Sequence, residues 1–421
     1  MLTVLALIAL GSDAVAATRY LRFGKLIDGK GKVWTNVAVI VENDRIRHVE
    51  PDAWPPSGAE VTDLRLYTGV PGIIDAHTHM TYYWDQAAGT TPWAQLRDRQ
   101  SSVTVFLAQE NARKTLETGV TTVRDLGSGE YADIAMRDLI NRGAMMGPRM
   151  FVAGYGLHVT TRPSQPGFAF PPGGTADGAA EVLRVVRQQV ASNVDVIKMY
   201  ASTGSDKDVS GFQTFTLDEI RAAADAAHGS GRKLAVHSYG PEAARDAVRA
   251  GADSIEHATD LDDQTIAEMA RRGTFYVPTI DHNRYYVEHR QEFGYGEDVA
   301  ARLNDYIQRN LETARRAQKA GVRFAMGSDA VFTGFGQNTR ELEWFVKAGM
   351  TPEQALATAT TNGAALLGME KSLGAVAPGY FADIVAVEGD PLQDIGVVVR
   401  NVRWVMKGGT VVVDRRRPSA K

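Results

Sequence analysis

The segment GIIDAHTH (Gly72–His79) is a short apolar run that ends in two histidines, and its pattern recurs along the middle of the chain. Seven further runs share its texture: VTTVRDL (120–126), RMFVAGY (149–155), VDVIKMY (194–200), KLAVHSY (233–239), DSIEHAT (253–259), TFYVPTI (274–280) and RFAMGSD (323–329). Between them lie amphipathic stretches such as VFLAQENARKTLETG (105–119), several of which stop at glycine, a common end of helices. Eight strands alternating with helices predict an α/β fold, a parallel (β/α)8 TIM-like barrel over residues 71–372.

The flanks read differently. Residues 18–70 and 373–421 show period-two alternation broken by Gly, Asp and Asn, as in RYLRFGKLIDG (19–29), which is a strand-and-turn signal. They predict one small β-sandwich domain built from both chain ends. Ahead of it, LTVLALIALG (2–11) is apolar but too short to span a bilayer, and Ala14-Val15-Ala16 follows as a small-x-small cleavage pattern. Residues 1–17 are therefore read as a signal peptide with Ala17 as the mature start. No Lys or Arg precedes the apolar run, so an ordinary first strand is the alternative. Cleavage would make the protein periplasmic or secreted, and its absence cytoplasmic. No membrane contact is expected of the mature form.

Composition narrows the chemistry. Across 421 residues, 44% hydrophobic and 23% charged, the chain has the makeup of a globular protein rather than a disordered one. A formal net charge of −4 gives no basic footprint for nucleic acid. Cysteine is absent, which removes thiolate ligands, thiol nucleophiles and disulfides; any metal must be held by nitrogen and oxygen. No G-x-S-x-G elbow occurs, which argues against a serine hydrolase of the α/β-hydrolase type. GSGEYA (127–132) matches a dinucleotide-binding pattern, but a lone match is weak and a strand-to-helix loop explains its glycines.

Barrel active sites lie where strands end. The expected strand ends carry His77 and His79, then Lys198, His237, His257 and Asp329. Alternation puts both imidazoles of H-x-H on one strand face. Each group alone has a structural explanation, and Lys198 could simply pair with Asp329. Together they would cost several kcal/mol per charge if buried unpaired, roughly, and one or two divalent cations would resolve that. Arg124–Asp125 reads as an ion pair inside the barrel, and His48 and His228 as surface or packing residues.

PGIIDAHTHM, VIKMY, AVHSYG, SIEHA and MGSDA resemble, in order and position, the metal-site motifs of the amidohydrolase superfamily. The resemblance extends to PGYFADIVAVEGDPL (378–392) near the end of the chain. It is strongest to the branch of imidazolonepropionase-like, prolidase-related carboxypeptidases and dipeptidases, including bacterial amidohydrolases that cleave ochratoxin A. It implies two divalent metals, zinc being the expected ion. His77, His79 and Asp329 would hold one, His237 and His257 the other, and an N-carboxylated Lys198 would bridge them. Asp329 would also shuttle the proton from the attacking water to the leaving amine. His158, in AGYGLHVTT (153–161), and Tyr239 would stabilise the oxyanion.

The expected substrate is a small-molecule amide: an N-acyl or N-aminoacyl amino acid, with ochratoxin A among the candidates. A cyclic amide or lactone is the alternative, and a non-catalytic binding protein the remote one. Tyr82, Tyr83 and Trp84 either line a pocket for an aromatic group or bury themselves in a loop or subunit contact. His289 and Arg290 are candidates to meet a substrate carboxylate. The resemblance also implies a homo-oligomer, an octamer being the candidate assembly.

Overall fold

A computed structural model describes residues 18–160 and 172–416. The signal-peptide reading falls on residues 1–17 and lies outside them.

The described residues open with β1 (Thr18–Ile27), β2 (Val33–Glu42), β3 (Arg45–Pro51) and β4 (Glu60–Pro71). They continue through β5 (Ile73–Thr78), β6 (Val120–Asp125), β7 (Arg149–Val152), β8 (Val196–Tyr200), β9 (Lys233–Ser238), β10 (Ser254–His257), β11 (Phe275–Val277) and β12 (Arg323–Phe324). They close with β13 (Ile384–Val387), β14 (Val402–Lys407) and β15 (Thr410–Asp414).

Strands from the two terminal parts of the described residues enter one seven-stranded sheet of order β15-β14-β13-β4-β1-β2-β3. The long strand β4 joins them: it runs parallel to β1 and antiparallel to β13, with Val70 opposite Val385. Leu21, Phe23, Val39, Ile384 and Trp404 from both halves are buried in a common core. Full burial of each such side chain contributes about 1.5–3 kcal/mol.

The middle strands form a parallel sheet β5-β6-β7 and a second one, β8 to β12 in sequence order. Every residue of β5, β6 and β8 is buried, as expected for parallel strands covered on both faces. Backbone hydrogen bonds cross both gaps between the sheets. On one side Leu157 N donates to Lys198 O (2.8 Å) and Tyr200 N to Leu157 O (2.9 Å); on the other Asp329 N donates to His77 O (2.7 Å). The expected strand at 323–329 keeps only two residues of regular pairing, and Asp329 has a left-handed φ of 50°.

The connecting helices bury one stripe each. In Pro241–Ala250 the stripe is Ala243, Ala244, Ala247 and Val248, with proline in the first turn and Gly251 ending the helix at φ 99°. Among the described residues, no helix is long and apolar enough to cross a membrane.

Candidate active site

Strand β4 passes into β5 through Gly72 alone, so the seven-stranded sheet directly sets where β5 begins. At the far end of β5, His77 is fully buried, and its ring centroid lies 5.5 Å from that of His79. Gly327 makes room for it: a Cβ there would sit 2.7 Å from the His77 Cβ.

His77 Nδ1 lies 2.8 Å from Glu256 Oε2, on β10. Glu256 accepts in turn from Arg124 Nη2 (2.8 Å) and Ser254 Oγ (2.5 Å). Burial pushes the Glu256 carboxyl up, but Arg124 and His77 outweigh it and hold the group well below the usual carboxylate range. A carboxylate at Nδ1 places the proton on that nitrogen and turns the lone pair of Nε2 toward the cavity. His77 Nε2 has no hydrogen-bond partner among the described residues. Burial, helped by the nearby Lys198 charge, lowers the His77 pKa to about 4 and keeps the ring neutral.

Asp329 stands among imidazoles. Its carboxylate lies 3.5 Å from His77 Nε2, 3.3 Å from His79 Nε2, 3.8 Å from His257 Nδ1 and 3.3 Å from His282 Nε2. Burial would raise its pKa, yet His282, His77 and His79 keep it well below the ordinary value. Ligand atoms of His77, His257 and Asp329 all fall within 4.8 Å of one another. Buried imidazole nitrogens beside an ionised carboxylate form a donor set that fits a borderline first-row cation such as zinc.

These groups floor a cavity that His79, Lys198, His237, His257 and Asp329 line together, so five of the six expected ligands face it and His77 lies beneath. Tyr239 joins them, stacked on His237 at 5.2 Å, and burial next to Tyr306 raises its hydroxyl pKa well above 10. Tyr82 also lines the cavity and stacks on His79 at 4.7 Å.

Other candidates lie elsewhere. Tyr83 donates to Glu110 and Trp84 to Thr90, away from the cavity lining. His158 is buried and hydrogen-bonded to Thr175 Oγ1 (3.1 Å), and it lines a neighbouring cavity instead. His289 and Arg290 pair with Glu292 (3.1 Å) and Glu297 (2.9 Å) and do not reach either cavity. Arg124 does form a buried ion pair, but with Glu256 rather than Asp125. Consecutive strand residues face opposite ways, and Asp125 accepts from Thr78 Oγ1 (3.1 Å) on the other side. His228 pairs with Asp253 at 2.8 Å, and His48 is exposed.

Among the residues of this site that escaped the sequence reading are Glu256, His282, Trp93, Tyr286, Tyr200 and Asp208. For His282 the signal was available, since it lies two residues beyond the expected strand TFYVPTI. Its Nδ1 donates to the Asp329 carbonyl (2.8 Å), and it lines the cavity.

The sequence model of the amidohydrolase family matches residues 68–412. An ochratoxinase of Aspergillus niger is 30% identical, across 92% of this chain and 85% of its own. An imidazolonepropionase of Cutibacterium acnes is 28% identical, across 84% of each chain. Among solved structures, a Xaa-Pro dipeptidase with methionine bound in its active site has a TM-score of 0.84 at 31% identity, covering 94% of this chain and 99% of that one.

Proposed function

The chain belongs to the amidohydrolase family and is a hydrolase acting on amide bonds; on that premise we propose that it cleaves N-acyl or N-aminoacyl amino acids at a two-metal centre. The observation that carries this reading is the buried cluster of His77, His257 and Asp329 sharing one cavity floor with His79, Lys198 and His237.

His77, His79 and Asp329 would hold one ion and His237 and His257 the other, with Lys198 between them as a carbamate. An ammonium has no lone pair to offer a cation, whereas a carbamate presents two oxygens as a glutamate does. The ions, with zinc favoured by the donor set, would supply Lewis acidity toward the scissile carbonyl and acidify water. Asp329, kept ionised by its histidine neighbours, takes the proton of the attacking water and returns it to the amide nitrogen. The C–N bond then breaks, leaving a carboxylic acid and a free amine. Tyr239 stays protonated across the physiological range and donates to the carbonyl oxygen as it gains charge.

The same reading covers the frame and the assembly. The parallel strands close as a (β/α)8 barrel over 71–372, supported by the backbone bonds across both gaps. Residues 18–70 and 373–416, the described part of the expected 373–421, form a β-sandwich appendage, supported by their common core. Ochratoxin A, an aryl amide of phenylalanine, fits the substrate class. A homo-oligomer is part of the proposal.

A panel of N-acyl amino acids, dipeptides and lactones, run with zinc and with a chelator, tests the function. Chelator-sensitive release of free amino acids is expected; hydrolysis of lactones alone would overturn the amide preference.

A further inference from the structure

A second cavity, of about 330 Å³, adjoins the first, and Tyr82 and Tyr200 line both. The first lies over the ends of β5 and β8 to β12, the second over the loops that follow β5, β6 and β7. Their linings differ. Besides histidines, the first cavity is lined by Lys198, Asp208 and Asp329, of which the reading above gives Lys198 and Asp329 to the metal centre. The second is lined by Arg97 and Arg99, with Glu130 as its one acid among the described residues, and by His158.

Arg99 is built in rather than loose. Its Nη1 donates to Tyr83 O (3.0 Å) and its Nη2 to Gln95 Oε1 (2.5 Å), and the guanidinium lies 5.4 Å from the Tyr83 ring. These contacts fix the plane of the fork while engaging only part of its donors. Glu130 (φ 51°), which lines the cavity, and Tyr131 (φ 55°) next to it are consecutive non-glycine residues in left-handed conformation, the kind of strain that gathers at ligand sites.

We propose that this second cavity receives the carboxylate-bearing amino acid that the reaction releases, with Arg99 as its carboxylate anchor and Arg97 adding positive charge. The inference rests on the amidase reading above and gives the substrate a direction. The carboxylate end lies toward Arg99, the scissile carbonyl over Asp329 and Tyr239, and the acyl half among Trp93 and Tyr286. An aminoacyl substrate then brings its ammonium near Asp208.

The test compares N-benzoyl-phenylalanine with N-benzoyl-phenylalaninol, which replaces the carboxylate by an alcohol. Wild-type kcat/KM should be at least about tenfold higher for the acid, the worth of one charge-assisted hydrogen bond. Arg99→Met should cost the acid at least about tenfold more than the alcohol, mainly through KM, and Arg99→Lys should recover part of it. Independently of any variant, phenylalanine should inhibit the wild-type enzyme more tightly than phenylalaninol. Equal rates on both substrates, equal losses in Arg99→Met or equal inhibition would overturn the carboxylate site while leaving the amidase reading standing. Hydrolysis of neither substrate nor of any other amide would overturn both.

Discussion

At the scale of single residues, neutral imidazoles and one ionised carboxylate are held out of water by different means. Glu256 fixes the His77 ring, while Thr279 Oγ1, 2.7 Å from His257 Nδ1, orients the other. Lys198, buried in the same floor, is the side chain whose removal should hurt most. Lys198→Ala should lower amide hydrolysis by about a thousandfold or more, with partial rescue by short carboxylic acids that fill the bridge. A near-wild-type rate in initial-velocity assays would remove Lys198 from the centre.

A second prediction concerns Glu341, whose two oxygens accept from Ile280 N (2.9 Å) and Asp281 N (2.8 Å). Burial pushes its carboxyl up to about 8. Its unfolded value is near 4.3. An acid raised on folding contributes fully below its unfolded pKa and loses that contribution as pH rises through the folded one. Glu341→Gln should therefore shrink the fall in melting temperature between about pH 5 and pH 9, whatever its absolute stability. An unchanged slope would assign the pH dependence to other buried acids, such as Asp125.

At the scale of elements, the strand ends were legible because alternating direction and strand termination follow from local pattern. That is why H-x-H, Lys198, His237, His257 and Asp329 could be picked from the sequence and meet in the structure. Glu256 was not legible, since its partners Arg124 and His77 lie on other strands and only closure of the sheets brings them near. His282 and His289 show the limit within one helix. The helix Ile280–Glu288 starts at the cavity. Seven residues later its axis has carried the chain about 10 Å away. The aromatic run Tyr82-Tyr83-Trp84 split because it follows the turn at Met80–Thr81 outside any regular strand: of the three, only Tyr82 lines the metal-site cavity. The loop after β8 makes its own prediction. Gly204 has φ 105°, and a Cβ there would lie 2.4 Å from Tyr239 Cγ. Gly204→Ala should lower kcat by about tenfold by displacing Tyr239, with metal content unchanged. An unaltered kcat would mean that the Tyr239 position does not matter to turnover.

At the scale of the whole molecule, the chain ends are tied to the site through β4, which pairs with β13 along Thr68–Pro71 and passes at once into β5. Removing residues 384–421 strips β4 of that partner and opens the core around Phe23. The truncated chain should show no cooperative thermal transition by circular dichroism; a wild-type melt would make the terminal strands dispensable. Under the proposed function, the intact frame would serve to hold the metal-ligating residues around Asp329. The most direct measurement is a zinc titration of metal-stripped protein, following release of phenylalanine from an N-acyl-phenylalanine. No release is expected before zinc is added, and the rate should climb until two ions per chain are bound. Full turnover by the stripped protein, or saturation without bound metal, would contradict it.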